Sequence, residues 1–147
     1  MDRSALTAEP GAYTLFIDLK RPLSLDATAL GPQALAPGRY AYCGSAYGPG
    51  GLRARLGRHL RRDKALRWHV DHLTAAGRVF AVGLAPGGRE CALVAALGRQ
   101  AGVDVPLLGF GSSDCRRCPA HLLRLGPTAD LDRLTRGLEL VRIDREA

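Results

Sequence analysis

Residues 40–60 read YAYCGSAYGPGGLRARLGRHL, and three local structures follow one another in them. Residues 40–43 favour a strand, entered through the Pro37-Gly38 turn and left through Gly44-Ser45. Residues 47–51 form a loop by composition, with three glycines and a proline in five positions. Leu52, Leu56 and Leu60 then recur at i, i+4 and i+8, one face of a helix that runs to about Arg62. Upstream, residues 13–19 alternate and are rich in Thr, Phe and Ile, so they read as a first strand; residues 22–37 read as a long hairpin excursion with a short strand. Downstream, the pattern predicts a helix over 66–76, a strand over 78–84, a turn at Pro86-Gly-Gly88, and a helix over 90–100 with Leu93, Val94 and Leu97 inward. A glycine- and cysteine-bearing loop over 109–119 precedes a strand at 121–125. Thr128 is the expected N-cap of a short helix, and 138–143 closes the sheet. The sum is one α+β domain over 1–147, a small, mainly antiparallel sheet flanked by helices.

Composition removes several classes. With 46% hydrophobic residues in 147, the chain has the apolar share for a core and does not read as disordered. No run approaches the roughly 18 apolar residues of a membrane span. The first ten residues carry acids and no apolar stretch, so no secretory signal is read. The expectation is a soluble, cytoplasmic chain with no membrane partner. Four cysteines are too few for a disulfide scaffold and read as thiols or metal ligands.

Charge is unevenly distributed. The net charge is +7. Between Arg53 and Arg67, seven basic residues (Arg53, Arg55, Arg58, Arg61, Arg62, Lys64 and Arg67) face one acid, Asp63, so this window holds +6 of the total. A concentrated basic segment on a nearly neutral body is the footprint of a polyanion binder; the alternative is a solvated helix face.

Four groups of residues carry possible chemistry. Tyr13 and Tyr42 lie on neighbouring strands, and Arg55 and His59 share one face of the following helix, four residues apart. An arginine suits a phosphate because its planar fork donates two bonds and stays charged. Glu90, the sole glutamate between Glu9 and Glu139, falls on the stripe of Leu93, Val94 and Leu97, where an acid is unexpected unless something pairs it. It either complements the helix dipole or holds a hard cation such as Mg²⁺. Cys115-Arg-Arg-Cys118 has zinc-ligand spacing, with His121 as a third donor and Cys91 as a candidate fourth; two ordinary thiols are the alternative. His69 and His72 are three apart on the predicted second helix, and capping or packing beside Trp68 is the expected role.

The order Gly-x-Tyr, Tyr-x-Gly, Arg-x-x-x-His and a lone helical Glu resembles the GIY-YIG nuclease superfamily. The blocks Tyr40 to Ala46, Trp68-His-Val-Asp71, Glu90-Cys91 and Gly109 to Cys115 resemble a small uncharacterised branch of it, whose members occur alone or fused to an endonuclease III-type DNA-repair glycosylase. The likeness covers roughly residues 11–125. It implies a GIY-YIG-like fold and metal-dependent hydrolysis of DNA phosphodiesters in repair or processing, with Mg²⁺ or Mn²⁺ as cofactor. It further implies that Tyr13 and Tyr42 belong to the two motifs, that Arg55 steadies the scissile phosphate, that His59 assists one turn later and that Glu90 holds the metal. Arg53, Arg58, Arg61, Arg62 and Lys64 are the expected nucleic-acid contacts. The gap between the two motifs is longer than the tight hairpin of active members. The alternatives are therefore a catalytically weak or inactive nucleic-acid-binding module of the same fold, or a docking domain for a repair enzyme.

Overall fold

The computed structural model describes residues 5–111 and 118–145. In chain order the elements are β1 (Gly11–Leu19), β2 (Leu23–Ser24), β3 (Ala34–Leu35), β4 (Gly38–Ala46), α1 (Gly51–Leu60), α2 (His69–Ala76), β5 (Arg78–Pro86), α3 (Glu90–Gly98), β6 (Val103–Asp104), β7 (Leu122–Leu125), α4 (Leu131–Gly137) and β8 (Val141–Asp144). Six strands form one antiparallel sheet in the order β6-β7-β4-β1-β5-β8, and β2 and β3 form a small second sheet. The fold is α+β, as the sequence pattern implies. Among the described residues no helix is long and apolar enough to cross a membrane.

Strand alternation sorts the core into two layers. Tyr13, Leu15, Ile17, Tyr40 and Tyr42 point to one face and meet Leu52 and Leu56 of α1 and Val70 and Leu73 of α2. Ala12, Phe16, Ala41, Cys43 and Ala81 point to the other, under Leu93, Val94 and Leu97 of α3 and Leu134 of α4. Because β1 is covered on both faces and paired on both edges, eight of its nine residues are buried. Its register decides where chemistry sits. Gly11 stands opposite Ala46 of β4 and Pro86 of β5, so one end of the sheet gathers the start of β1, the ends of β4 and β5, and the start of α3. The long connection between the two motifs leaves from the other end, where Leu19 faces Gly38. Its length therefore adds nothing to the motif end of the sheet.

Several boundaries differ from the sequence reading. The second helix begins at His69 rather than 66, because the Asp71 carboxylate turns back and accepts the backbone N–H groups of Arg67 and Trp68, both at 2.8 Å. Thr128 is not the cap of the last helix. It sits in the preceding turn against Gly102, and Asp130 caps α4 by accepting the N–H of Asp132 at 3.0 Å. Strand β6 is a two-residue ladder too short for periodicity to reveal.

Asp71 also joins α1 to α2. Its side chain is fully buried and takes both ends of the Arg58 guanidinium, at 2.7 and 2.9 Å. Burial acts to raise the Asp71 carboxyl, but Arg58 and the two backbone donors outweigh it and hold it down at about 2. Arg58 is thus a fixed part of the fold. Asp71→Asn, which leaves Arg58 without its counter-charge, is expected to lower stability by about 3 kcal/mol in urea unfolding, while an exposed charge change such as Arg62→Gln moves it by less than about 0.5 kcal/mol.

Candidate active site

At the gathered end of the sheet lies an open cleft of about 340 Å³, with Tyr13, Tyr42, Arg55 and Glu90 in its walls. His59 lies beneath it, 2% exposed, and joins the set through Tyr13. The five residues that the sequence brings forward as catalytic therefore converge on one place, four as lining and one as support.

Tyr13 crosses the pleat to Gly44, its partner in the ladder. A Cβ on Gly44 would stand 2.3 Å from the Tyr13 hydroxyl, so only glycine lets the phenol lie there. The hydroxyl reaches His59 Nε2 at 2.6 Å, with the two rings 5.4 Å apart. Burial, then the charge of Lys64, pushes His59 down to about 3, so the imidazole is neutral at ordinary pH. Tyr13 is raised well above its usual value, first by burial and then by Tyr42, with Arg55 acting against both. The phenol therefore donates to Nε2, which puts the ring proton on Nδ1, a buried atom with no hydrogen-bond partner. Tyr42 is also raised, by burial first and Glu90 second, and Gly111 (φ +70°) closes against its ring edge, where a Cβ would come within 2.8 Å.

Arg55 and Glu90 share the cleft without pairing. Among the described residues no carboxylate forms an ion pair with Arg55, whose guanidinium lies over the Trp68 ring, 4.8 Å from the centroid. Arg58 lies over the same ring at 4.2 Å. Glu90 has 31% of its side chain exposed, and the Nδ1 of His121 lies 4.0 Å from its carboxylate. A single carboxylate with open space before it fits a Mg²⁺ ion, which keeps several waters and takes few protein oxygens.

Other expected residues fall elsewhere. The five basic residues expected to contact nucleic acid do not form one free face. Arg58 is held by Asp71, and Lys64 donates to the His59 carbonyl at 2.7 Å and to Thr74 Oγ1 at 2.6 Å, closing the end of α1. Arg53 donates from Nε to the Leu6 carbonyl at 2.8 Å and, with Arg61, lines a separate shallow groove along α1. Arg61 and Arg62 are exposed. Of the cysteine cluster, Cys91, Cys118 and His121 come together, their ligand atoms within 4.8 Å of one another; Cys115 lies outside the described residues. The sequence reading misses Trp68, Arg67 and His69 as cleft residues. His69 Nδ1 accepts the Gly111 N–H at 2.9 Å and so ties α2 to the loop that forms the far wall. The available signal is the polar run before α2, which carries no periodicity.

The family model described as a domain of unknown function, DUF123, matches residues 12–140. No curated protein and no solved structure matches the chain.

The buried imidazole gives the site a pH dependence. Between about pH 6.5 and 3 the unfolded chain binds a proton at residue 59 that the folded chain refuses, so stability falls as pH falls through that window. The slope from this group approaches about 1.4 kcal/mol per pH unit. Urea unfolding between pH 7 and 5, where an Asp71 carboxyl of ordinary value 3.8 in the unfolded chain is still mostly ionised, is expected to show it. His59→Gln, which keeps an acceptor for Tyr13, is expected to flatten the slope by about one proton.

Proposed function

The chain belongs to the DUF123 family, and we propose that within it this protein is a divalent-metal-dependent endonuclease that hydrolyses DNA phosphodiesters, in repair or processing. The observation that carries the reading is that Arg55 and Glu90 line one cleft and, among the described residues, form no ion pair with each other. A half-buried cation and a carboxylate that do not neutralise each other are matched by a ligand carrying both signs, a phosphate together with its metal ion. The resemblance to GIY-YIG nucleases, in residues rather than in any single motif, supports the same conclusion. It also supports a DNA-repair glycosylase as partner.

Glu90 is the residue that would hold Mg²⁺ or Mn²⁺, which supplies charge neutralisation at the leaving oxygen. Arg55 donates to the non-bridging phosphate oxygens, where charge grows in the transition state, and Trp68 holds its guanidinium plane in place. Tyr13 lines the cleft, and its hydroxyl accepts a proton from the attacking water as it passes its own to His59 Nε2. Burial opposes a charge on His59, so the transfer is favourable only when phosphate charge fills the cleft. Arg67 and the exposed Trp68 flank the opening and suit a sugar–phosphate backbone and an unstacked base.

A second reading has its own observation. In the resting chain Tyr13 is protonated and His59 is a weak base, so neither member of that pair is a strong base, as in a binder that does not cut. The two readings separate on a panel of branched, nicked and single-stranded DNA with Mg²⁺ or Mn²⁺. For the enzyme, Glu90→Gln and Arg55→Ala each lower cleavage at least about a hundredfold, and Glu90→Gln binds DNA as well as the native chain. For the binder, the native chain cuts nothing and Glu90→Gln binds more tightly. Charge reversal at Arg61 and Arg62, with Arg58 left intact, is expected to weaken binding and to make the salt slope shallower by about 0.9 for each phosphate no longer neutralised.

A further inference from the structure

Next to Glu90, at a cleft that His121 also lines, is a group that the reaction above does not use. Cys91 follows Glu90 on the first turn of α3, and Cys118 and His121 come from the segment that leads into β7. One ligand atom from each lies within 4.8 Å of the other two. His121 is 4% exposed, and its Nε2 is a buried nitrogen with no hydrogen-bond partner among the described residues. A buried polar atom left in this condition costs about 1–3 kcal/mol, so the ring has a reason to be there that the protein's own groups do not supply.

From these two observations we propose that Cys91, Cys118 and His121 bind a zinc ion that fastens the start of α3 to the wall of the cleft. The donors are two sulfurs and an imidazole, which select Zn²⁺ over the hard cation suited to Glu90. Bond lengths of about 2.3 Å to sulfur and 2.0 Å to nitrogen put tetrahedral donors roughly 3.5–3.8 Å apart, so side-chain shifts of about 1 Å complete the site and leave one position for a fourth donor. Nε2 is the nitrogen left for the metal, since Nδ1 of the same ring faces Glu90. Binding releases the two thiol protons, and two thiolates with a neutral imidazole cancel the charge of the ion. The ion therefore braces the carboxylate's neighbourhood without drawing Glu90 away from the cleft. Among the described residues, backbone bonds run from Gly109 to the Pro119 carbonyl at 2.7 Å, from His121 to the Phe110 carbonyl at 2.8 Å and from Cys43 to the His121 carbonyl at 2.9 Å.

The site is independent of the nuclease reading, and the test keeps the two apart. The full chain, purified under reducing conditions without chelator, is analysed for metal, then stripped and titrated with Zn²⁺ or Co²⁺ alone. The expected result is one zinc per chain and thiolate-to-cobalt charge-transfer absorption, with affinity lowered more than tenfold in Cys91→Ser and in Cys118→Ser. Glu90→Gln, which removes the proposed nuclease metal ligand, and Cys43→Ala, at a fully buried thiol on β4 outside the cluster, keep the full zinc content. Should the variants fail to fold, alkylation of the native chain decides: zinc is expected to protect Cys91 and Cys118 from iodoacetamide, and chelation to expose them. Less than about 0.1 zinc per chain after titration, full binding in both serine variants, or a Cys91–Cys118 disulfide forming equally fast with and without zinc would each overturn the proposal.

Discussion

A buried phenol–imidazole contact, 2.6 Å from the Tyr13 oxygen to His59 Nε2, fixes the relation between the central strand and the helix that carries Arg55. Three conditions make it possible, and each belongs to a different element. Gly44 on the neighbouring strand leaves room for the ring, the loop over residues 47–50 brings α1 back across the same face, and Leu52 and Leu56 seat the helix so that His59 turns inward. With Tyr13 and His59 locked together, Arg55, one turn earlier on α1, has little choice of position. It opens into the cleft across from Glu90. The arrangement of the cleft is thus a by-product of strand register and helix packing, with no separate loop needed to assemble it.

The basic segment after the glycine loop has two jobs rather than one. Arg58 and Lys64 work inward: one closes α1 on α2 through Asp71, the other donates to the His59 carbonyl at the end of α1 and to the Thr74 hydroxyl. Lys64 is lowered to about 8, by burial first, which is the mark of an ammonium inside the fold rather than on a polyanion-binding surface. Arg55 and Arg67 work at the cleft, and Arg61 and Arg62 remain in solvent. Trp68 connects the two groups, since Arg55 and Arg58 both lie over its ring.

What the sequence makes legible follows the physics of its signals. Tyr13, Tyr42 and the leucines of α1 are readable because strand and helix periods map directly onto faces, and Glu90 because an acid on an apolar stripe is improbable without a purpose. Arg58 and Lys64 are misplaced by sequence because charge alone carries no information about its partners in the fold; a single buried Asp71 decides the matter for Arg58. Trp68 and His69 read as capping or packing residues, since the bend that swings them over the cleft is made by Asp71 catching backbone groups ahead of its own helix. For the last helix, Thr128 and Asp130 are both competent caps two residues apart, and the sequence pattern does not distinguish the one that is used, Asp130. The convergence of Cys91 with Cys118 and His121 is foreshadowed, because C-x-x-C and a nearby histidine have ligand spacing. Their meeting depends on the sheet that brings α3 beside β7.

The excursion over residues 20–37 leaves and re-enters at the end of the β1–β4 pair remote from the cleft. Leu25 and Leu35 anchor its base in the core, and its tip, Asp26 to Gln33, is largely exposed. Since the entropy of closing a loop grows only slowly with its length, the exposed part of this tip is a natural place to graft foreign sequence such as a fluorescent reporter or an affinity handle, provided Leu30, which lies against Gly109 and the core, is kept. The sheet has in effect a fixed pole and a freer pole, joined at the tip through that one leucine.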